Sequence, residues 1–399
     1  MKTTYSQVLL VDNGAFFPDD QLHEDVAWFL MDAMKLLGTD AVGVGDKELM
    51  FGYAKLKARV DHAKLPMVVA NLQLKASKQP AFDPYLVKQV GSVKVGVFGL
   101  LNDKADLGPA RDSLEALDPV VSAKRAIDEL HNKGATVIVL LSQLGKVETE
   151  DLVTELDGID VAIAGRNVPL VQTGRQIKTT MVVYGGDQGQ YVGHTLVTLD
   201  ASRKATLLAS EMFILSPEVG EKKEVASVVQ GFEDKFNEKL RVAEKERAAS
   251  AVNQNASSEV DHFVGMEVCA RCHSVEVDQW KTTKHARAWQ TLVEKRKDAT
   301  PDCIPCHVVG YNKAGGFVSS AATPKLVNVQ CEACHGMGTG HEAFAVKPAH
   351  ITEQVCVTCH TASNSPTFDF AIYEPHILHK FNGKMPDLPP RPAGSMGGQ

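Results

Sequence analysis

Cys269-Ala-Arg-Cys272-His273 is followed along the chain by Cys303-Ile-Pro-Cys306-His307, Cys331-Glu-Ala-Cys334-His335 and Cys356-Val-Thr-Cys359-His360. These runs use all 8 cysteines of the 399-residue chain, with none left over. The spacing has a chemical reason. Two thiols one helical turn apart reach the two vinyl groups of one porphyrin, and the adjacent histidine faces the iron as proximal ligand. Paired C-x-x-C units also build zinc ribbons, but zinc gives no reason for a histidine directly after every second cysteine. With 14 histidines in 399 residues, four such coincidences have a chance of roughly one in a million. Redox C-x-x-C motifs usually come singly, on a thioredoxin-like unit. The sequence therefore predicts four covalently attached haem c groups, held by Cys269, Cys272, Cys303, Cys306, Cys331, Cys334, Cys356 and Cys359, with His273, His307, His335 and His360 on the irons.

Working outward, residues 261–385 read as one haem-bearing domain, mostly helical or irregular. It shows little regular apolar periodicity, as expected where four macrocycles supply the core. Six further histidines lie there: His262, His285, His341, His350, His376 and His379. Six candidates for four far-side positions leave a surplus, and for any one of them the plainer role is a surface or propionate partner. Met337 is the best-placed thioether candidate, with Met266 and Met385 behind it; a methionine ligand raises the potential of a haem relative to histidine. The tail at 386–399 is rich in Pro and Gly and reads as disordered.

The thiol-free front is different in kind. Apolar, β-rich runs at 8–11, 67–70, 93–98, 136–141, 161–164 and 181–183 alternate with helical patterns, for example 22–37 and 122–133. Runs ended by Gly, Asn or Asp between amphipathic helices predict an α/β domain over 1–215 with a buried sheet. Its turn points are Asp12-Asn13-Gly14, Gly45-Asp46 and Gly185-Gly186-Asp187. Over 216–260 the pattern predicts a charged helix and then a linker. Ser216-Pro217-Glu218 is the expected helix start, and Val225, Val228, Val229, Phe232, Phe236 and Leu240 form one apolar stripe. From Ser250 the chain turns small and polar.

Composition excludes several classes. At 44% hydrophobic, 23% charged and a net charge of −7, the chain is not disordered, collagenous or membrane-spanning, and the acidic balance argues against nucleic-acid binding. No run is apolar enough to span a bilayer. The first seven residues lack signal-peptide character, so the chain is either cytoplasmic or has lost its leader from this numbering.

Residues 269–289 (CARCHSVEVDQWKTTKHARAW), 303–317 (CIPCHVVGYNKAGGF), 329–341 (VQCEACHGMGTGH) and 365–379 (SPTFDFAIYEPHILH) resemble the tetrahaem c-type cytochromes of the hydroxylamine-oxidation pathway. The resemblance implies an electron-transfer role and, by position, His285, His341 and His379 as distal ligands. It also implies maturation outside the cytoplasmic membrane, hence a periplasmic or cell-surface location. One departure is Met337, where that family has Pro in a Gly-Pro-Gly turn.

The front resembles the metallophosphoesterase domain of the 5′-nucleotidase family through 9–17 (LLVDNGAFF), 37–49 (LGTDAVGVGDKEL), 139–145 (VLLSQLG), 158–168 (GIDVAIAGRNV) and 185–193 (GGDQGQYVG). The resemblance implies a layered α/β sandwich. That family's metal-binding Asp falls on Ala15, its Asn-His pair on Asp46-Lys47, and its later histidines on Gln143, Arg166 and Val168. Ala and Val cannot ligate a hard dication, and Lys or Arg repels one. From this the front is expected to be a degenerate, non-catalytic scaffold. Lys47 and Arg166 are then either an anion site in the old cleft or cations satisfied by nearby carboxylates.

The sequence thus predicts an extracytoplasmic tetrahaem electron carrier that is not an enzyme. Its expected partners are redox proteins or extracellular acceptors. A place in an electron-conducting assembly is also expected, one surplus histidine ligating a haem of the next copy. The alternative is a multihaem reductase acting on a small nitrogen or sulfur compound, which needs an open iron position. A haem-regulated phosphatase is a third reading.

Overall fold

The period-two alternation of the front strands sets its architecture. In the strand Val93–Leu101, Val95 and Val97 turn to one face while Phe98 and Leu100 turn to the other. The strand Val137–Gln143 does the same, with Val137, Val139 and Leu141 opposite Ile138 and Leu140. A sheet with two apolar faces must be covered on both. The structure is a computed structural model that describes residues 5, 7–18, 23–186, 189–201, 205–252, 262–342, 351–361 and 364–379. It divides into two units, Met1–Val228 and Val229–Gln399.

The first unit contains, in order, β1 (Val11–Asp12), α1 (Glu24–Leu37), β2 (Ala41–Gly43), α2 (Tyr53–Ala63), β3 (Met67–Val68), β4 (Leu72–Leu74), β5 (Tyr85–Val90), β6 (Val93–Leu101), β7 (Leu114–Ala116), α3 (Pro119–Asn132), β8 (Val137–Gln143), α4 (Lys146–Glu155), β9 (Val161–Ala164), β10 (Arg175–Ile177), β11 (Thr180–Tyr184), β12 (Tyr191–Leu199) and β13 (Ala205–Ile214). Its main sheet has the order β10-β11-β9-β8-β6-β5, parallel through β11, β9, β8 and β6 and antiparallel at both edges. A smaller parallel sheet, β1-β2-β3, packs across it, and β12 pairs with β13 in an antiparallel ribbon.

Three apolar layers follow. Helices α3 and α4 cover one face of the main sheet through Ala123, Ala126, Ile127, Leu130, Leu152 and Val153. Ala41, Val68, Val95, Val97, Val139 and Leu141 fill the space between the sheets. Helices α1 and α2 close the far side through Met31, Leu56 and Val60. Helix α3 begins where Asp118 accepts a hydrogen bond from the Val121 N–H at 2.9 Å, with Pro119 in its first turn, the expected start chemistry. This is the layered α/β sandwich expected from the sequence.

Three local expectations need correction. The strand expected at 8–11 is limited to Val11–Asp12; just before it the Leu10 N–H donates to the Asp40 carboxylate at 3.0 Å rather than to a neighbouring strand. The start of the 22–37 helix falls on residues outside the described set, and the helix runs from Glu24. Ser216-Pro217-Glu218 opens a single 3₁₀ turn, Pro217–Val219, which ends at Gly220 with φ +74°.

The long helix α5 (Lys223–Val252) starts after that turn and continues past Ser250. Its stripe residues Val225, Val229, Phe232, Phe236 and Leu240 are half-buried, whereas Val228 is exposed. Within the second unit α5 is held by Arg241 to Asp298 at 3.2 Å, by Asp234 to Arg296, and by Arg247 stacked 4.7 Å from the Tyr311 ring. The rest of the linker and the 386–399 tail lie outside the described residues.

The remainder of the second unit is short helices: α6 (Met266–Cys269), α7 (Ser274–Trp280), α8 (Ala288–Glu294), α9 (Cys331–His335), α10 (Thr339–Glu342), α11 (Glu353–Cys356) and α12 (Phe370–Tyr373). Among the described residues its apolar cluster is small: Phe263, Ile304, Val308, Val309, Phe317 and Leu326. Among the described residues no helix is long and apolar enough to cross a membrane.

Candidate functional site

Each C-x-x-C-H run folds as one tight helical turn. The His273 N–H donates to the Cys269 carbonyl at 2.9 Å, and the His360 N–H to the Cys356 carbonyl at 2.9 Å. Cys331–His335 is α9 itself, and Ile304–Cys306 is a 3₁₀ turn closed by His307 N–H to Ile304 O at 2.9 Å. The turn puts the two thiols of each run on one side, with the histidine beside them. All eight cysteines are free thiols, so none is used by a disulfide.

Folding brings three of the motif histidines against three of the other histidines. The ring centroids of His273 and His341 are 6.0 Å apart, those of His285 and His360 6.3 Å, and those of His335 and His379 6.2 Å. Two imidazoles bound on opposite sides of one metal at about 2 Å per bond have centroids about 6 Å apart. The pairs therefore fit a group whose iron sits between two imidazole nitrogens. Burial, and after it the neighbouring His360, holds His285 below the ordinary imidazole range; burial alone does the same to His360. His379 is likewise held down by burial and by His335. The neutral form is the one that ligates a metal. Exposed apolar side chains lie near these histidines in sequence, Val275, Met337, Ile372 and Leu378, and the Tyr373 ring lies 5.8 Å from that of His360. They suit the face of a large apolar macrocycle.

The motif histidines differ in what holds them. His307 donates from Nδ1 to the Ala288 carbonyl at 2.6 Å, which leaves Nε2 as the lone-pair nitrogen. His360 Nδ1 lies 3.1 Å from Ser365 Oγ, and His273 Nδ1 lies 3.9 Å from Glu276 Oε2. Among the described residues His307 faces no second imidazole. His262 and His376 are exposed, and His350 lies outside the described residues, as does Met385.

The thiols show which attachment runs adjoin. Cys269 hydrogen-bonds to Cys331, which pushes Cys269 up and Cys331 down; burial and the neighbouring Cys359 thiol push Cys306 up to about 11. The first and third runs therefore meet, as do the second and fourth.

Sequence reasoning missed Glu332, the second residue of its own C-x-x-C run. Its carboxylate is 5% exposed and accepts from the N–H groups of Val264 at 3.0 Å, Gly265 at 2.8 Å and Gly338 at 2.7 Å. It thus ties the start of α6, which carries Cys269, to the turn that leads into His341. Gln330 adds a bond from the Met266 N–H at 2.6 Å.

In the front unit the residues at the expected metal positions gather at the carboxyl ends of the parallel strands. Gln143 Nε2 donates to the Asn13 carbonyl at 2.9 Å, and Arg166 Nε lies 3.7 Å from Asp46 Oδ2. Ala15 adopts a left-handed φ of 59°. The adjacent Glu48 is fully buried and accepts from the N–H groups of Gly45, Ala15, Phe16 and Phe17 at 2.7–3.3 Å. Among the described residues no three His, Cys, Asp or Glu side chains are grouped to hold a metal ion.

The first unit thus resembles a phosphoesterase-type α/β domain and the second a c-type cytochrome domain. Residues 268–336 match the family model of cytochrome c554 and c-prime. Cytochrome c-554 of Nitrosomonas europaea is 35% identical over 91 residues, 19% of this chain and 39% of that protein. The uncharacterized metallophosphoesterase YunD of Bacillus subtilis is 27% identical over 227 residues, 55% of this chain and 48% of that protein. The crystal structure of a 5′-nucleotidase precursor from Thermus thermophilus superposes with a TM-score of 0.53 at 26% identity, over 58% of this chain and 50% of that one. The chain spans half or less of the length of these relatives.

One expectation is overturned here. The chain was expected not to be an enzyme, from the residues at the metal positions. Its front relatives are enzymes by name, and it keeps their fold.

Proposed function

We propose that the chain is an extracytoplasmic electron-transfer protein with four covalently attached haem c groups, joined to a phosphoesterase-type domain. The observation that carries this is the set of three imidazole pairs at 6.0–6.3 Å, each joining a C-x-x-C-H histidine to one outside the motifs. In this reading His273 and His341, His360 and His285, and His335 and His379 are axial pairs, and His307 is the proximal ligand of the fourth site. When attached, the haem groups supply reversible one-electron exchange at iron. The protein's own part is to fix the imidazoles in their neutral form, orient them and keep the attachment runs close. The adjoining thiols of Cys269 and Cys331, and of Cys306 and Cys359, support a path between sites rather than isolated centres. Redox proteins or extracellular acceptors are the partners this reading requires.

Intact mass together with a pyridine haemochrome assay on protein matured outside the cytoplasmic membrane tests the reading. Four haems per chain and at least three low-spin ferric signals are expected. Fewer haems, or mostly high-spin iron, would sink it.

A second reading is favoured by His307, which faces no second imidazole among the described residues. An iron position left open there suits a reductase acting on a small nitrogen or sulfur compound. A high-spin ferric signal that shifts with nitrite or hydroxylamine favours it. Four low-spin signals unchanged by either compound count against it.

A further inference from the structure

Three of the motif histidines are held by three different kinds of partner. His307 meets a backbone carbonyl and His360 a hydroxyl, both neutral. His273 has a carboxylate beside it: Glu276 Oε2 lies 3.9 Å from its Nδ1, across the first turn of α7. At that distance the contact is electrostatic rather than a direct hydrogen bond. One negative charge is therefore set beside the Nδ1 nitrogen of the first site's motif imidazole.

A carboxylate behind a ligating imidazole makes it a stronger donor and fixes its orientation. A stronger axial donor, and a nearby negative charge, favour ferric over ferrous iron. We propose that Glu276 is a positioning residue that orients and strengthens His273, and so holds the first haem site at lower potential than it would have without that carboxylate. The inference rests on the haem ligation given under the proposed function. Its consequence is direction: electrons entering at the first site run downhill to the other sites.

The test is a spectroelectrochemical titration of the full, haem-loaded chain carrying Glu276→Gln, Glu276→Asp or Asp278→Asn. Asp278 is two residues along α7 and pairs with Lys281 at 2.9 Å, so it supplies the same change of charge without a histidine partner. Glu276→Gln is expected to shift one of the four steps upward and leave three in place. Glu276→Asp is expected to retain the wild-type order, and Asp278→Asn to move no step selectively. Unmoved potentials in Glu276→Gln overturn the proposal, as does an equal shift of all four steps or the same selective shift in Asp278→Asn. Haem content is measured on every sample. Fewer than four haems in the wild-type chain defeats the underlying function; four haems with unmoved potentials defeats only the role of Glu276.

Discussion

Replacing Glu332 by Ala should destabilise the haem-bearing unit and loosen one axial ligand at the same time. The carboxylate accepts three backbone hydrogen bonds at 2.7–3.0 Å in a site 5% exposed. Truncation leaves the Val264, Gly265 and Gly338 N–H groups without that partner. A buried donor left unsatisfied costs about 1–3 kcal/mol, and water entering the vacated volume recovers part of it. We expect a net loss of about 4 kcal/mol, near a thousandfold in the unfolding equilibrium. In guanidinium this lowers the midpoint of the second unit by about 1 M. Gly338 lies three residues before His341, so releasing its N–H also frees the turn that sets the His341 ring against His273. A share of one low-spin ferric signal should become high-spin at room temperature. Glu332→Gln keeps an acceptor for some of these donors and should lose about half as much stability. A loss below about 1 kcal/mol for Glu332→Ala, with an unaltered spin state, would refute the reasoning.

Three further outcomes are expected. His341→Ala, His379→Ala and His285→Ala should each convert one haem signal from low-spin to high-spin, restored by added imidazole, while His262→Ala and His376→Ala should change none; electron paramagnetic resonance reads all five. Burial, with a smaller push from the Asp12 charge, raises the Glu48 carboxyl above its ordinary 4.5 despite the opposing pull of the Ala15, Gly45 and Phe16 N–H donors. The folded chain then holds that proton more tightly than the unfolded one, so this contribution is full below 4.5 and is lost as pH rises through the higher folded value. Protection factors at the amides of Ala15, Phe16 and Gly45, which already allow for the base catalysis of exchange, should fall across that window, and Glu48→Gln should remove that fall. Gly14→Ala should cost the front unit more than about 2 kcal/mol in thermal or denaturant unfolding, because φ is +86° and a Cβ would sit 2.6 Å from the Gly43 carbonyl oxygen. Gly185→Ala, with nothing within 4 Å of its Cβ, should change little.

What was legible in the sequence follows the range over which each feature is determined. The C-x-x-C-H runs are local, five residues each, and read directly. The buried strands β6, β8, β9 and β11 were visible as apolar runs because both faces of the main sheet are covered. The ribbon β12–β13 was not, since its β12 residues are mostly half-buried and carry only a weak alternation. Long-range pairing is where sequence stops. His341 lies six residues from His335 yet pairs with His273, and His335 takes His379 instead. Nothing in the spacing ranks those choices; the resemblance to a known family supplied the three distal candidates, and only the fold matched each to a partner. Glu332 is the same case, a charged residue inside a motif whose hydrogen-bond partners lie 67 and 68 residues away. In the front unit the residue types at the metal positions were legible, but their meaning for catalysis was not. That inference, from ligand loss to loss of function, is the one the enzyme relatives overturn.

The contrast between the two cores makes a final prediction. The front unit buries three apolar clusters that run through every layer of the sandwich. Among its described residues the second unit buries ten apolar side chains larger than Ala, and only six of them form a cluster, around the second attachment run with Trp289, Tyr311 and Val327 against them. The helices around them are short. On the proposed function, macrocycles and the covalent tethers that shorten the loops between them would supply the rest of this unit's core. In the full chain with all eight cysteines changed to Ala, the front unit should keep its cooperative transition, since no cysteine lies before Cys269. Helix α5, whose clasps on the second unit are Arg241 to Asp298 and Arg247 against Tyr311, should lose amide protection from about Arg241 onward. Two separate cooperative transitions in that variant, with α5 protected to its end, would show that the second unit folds on its own small core and would overturn this account.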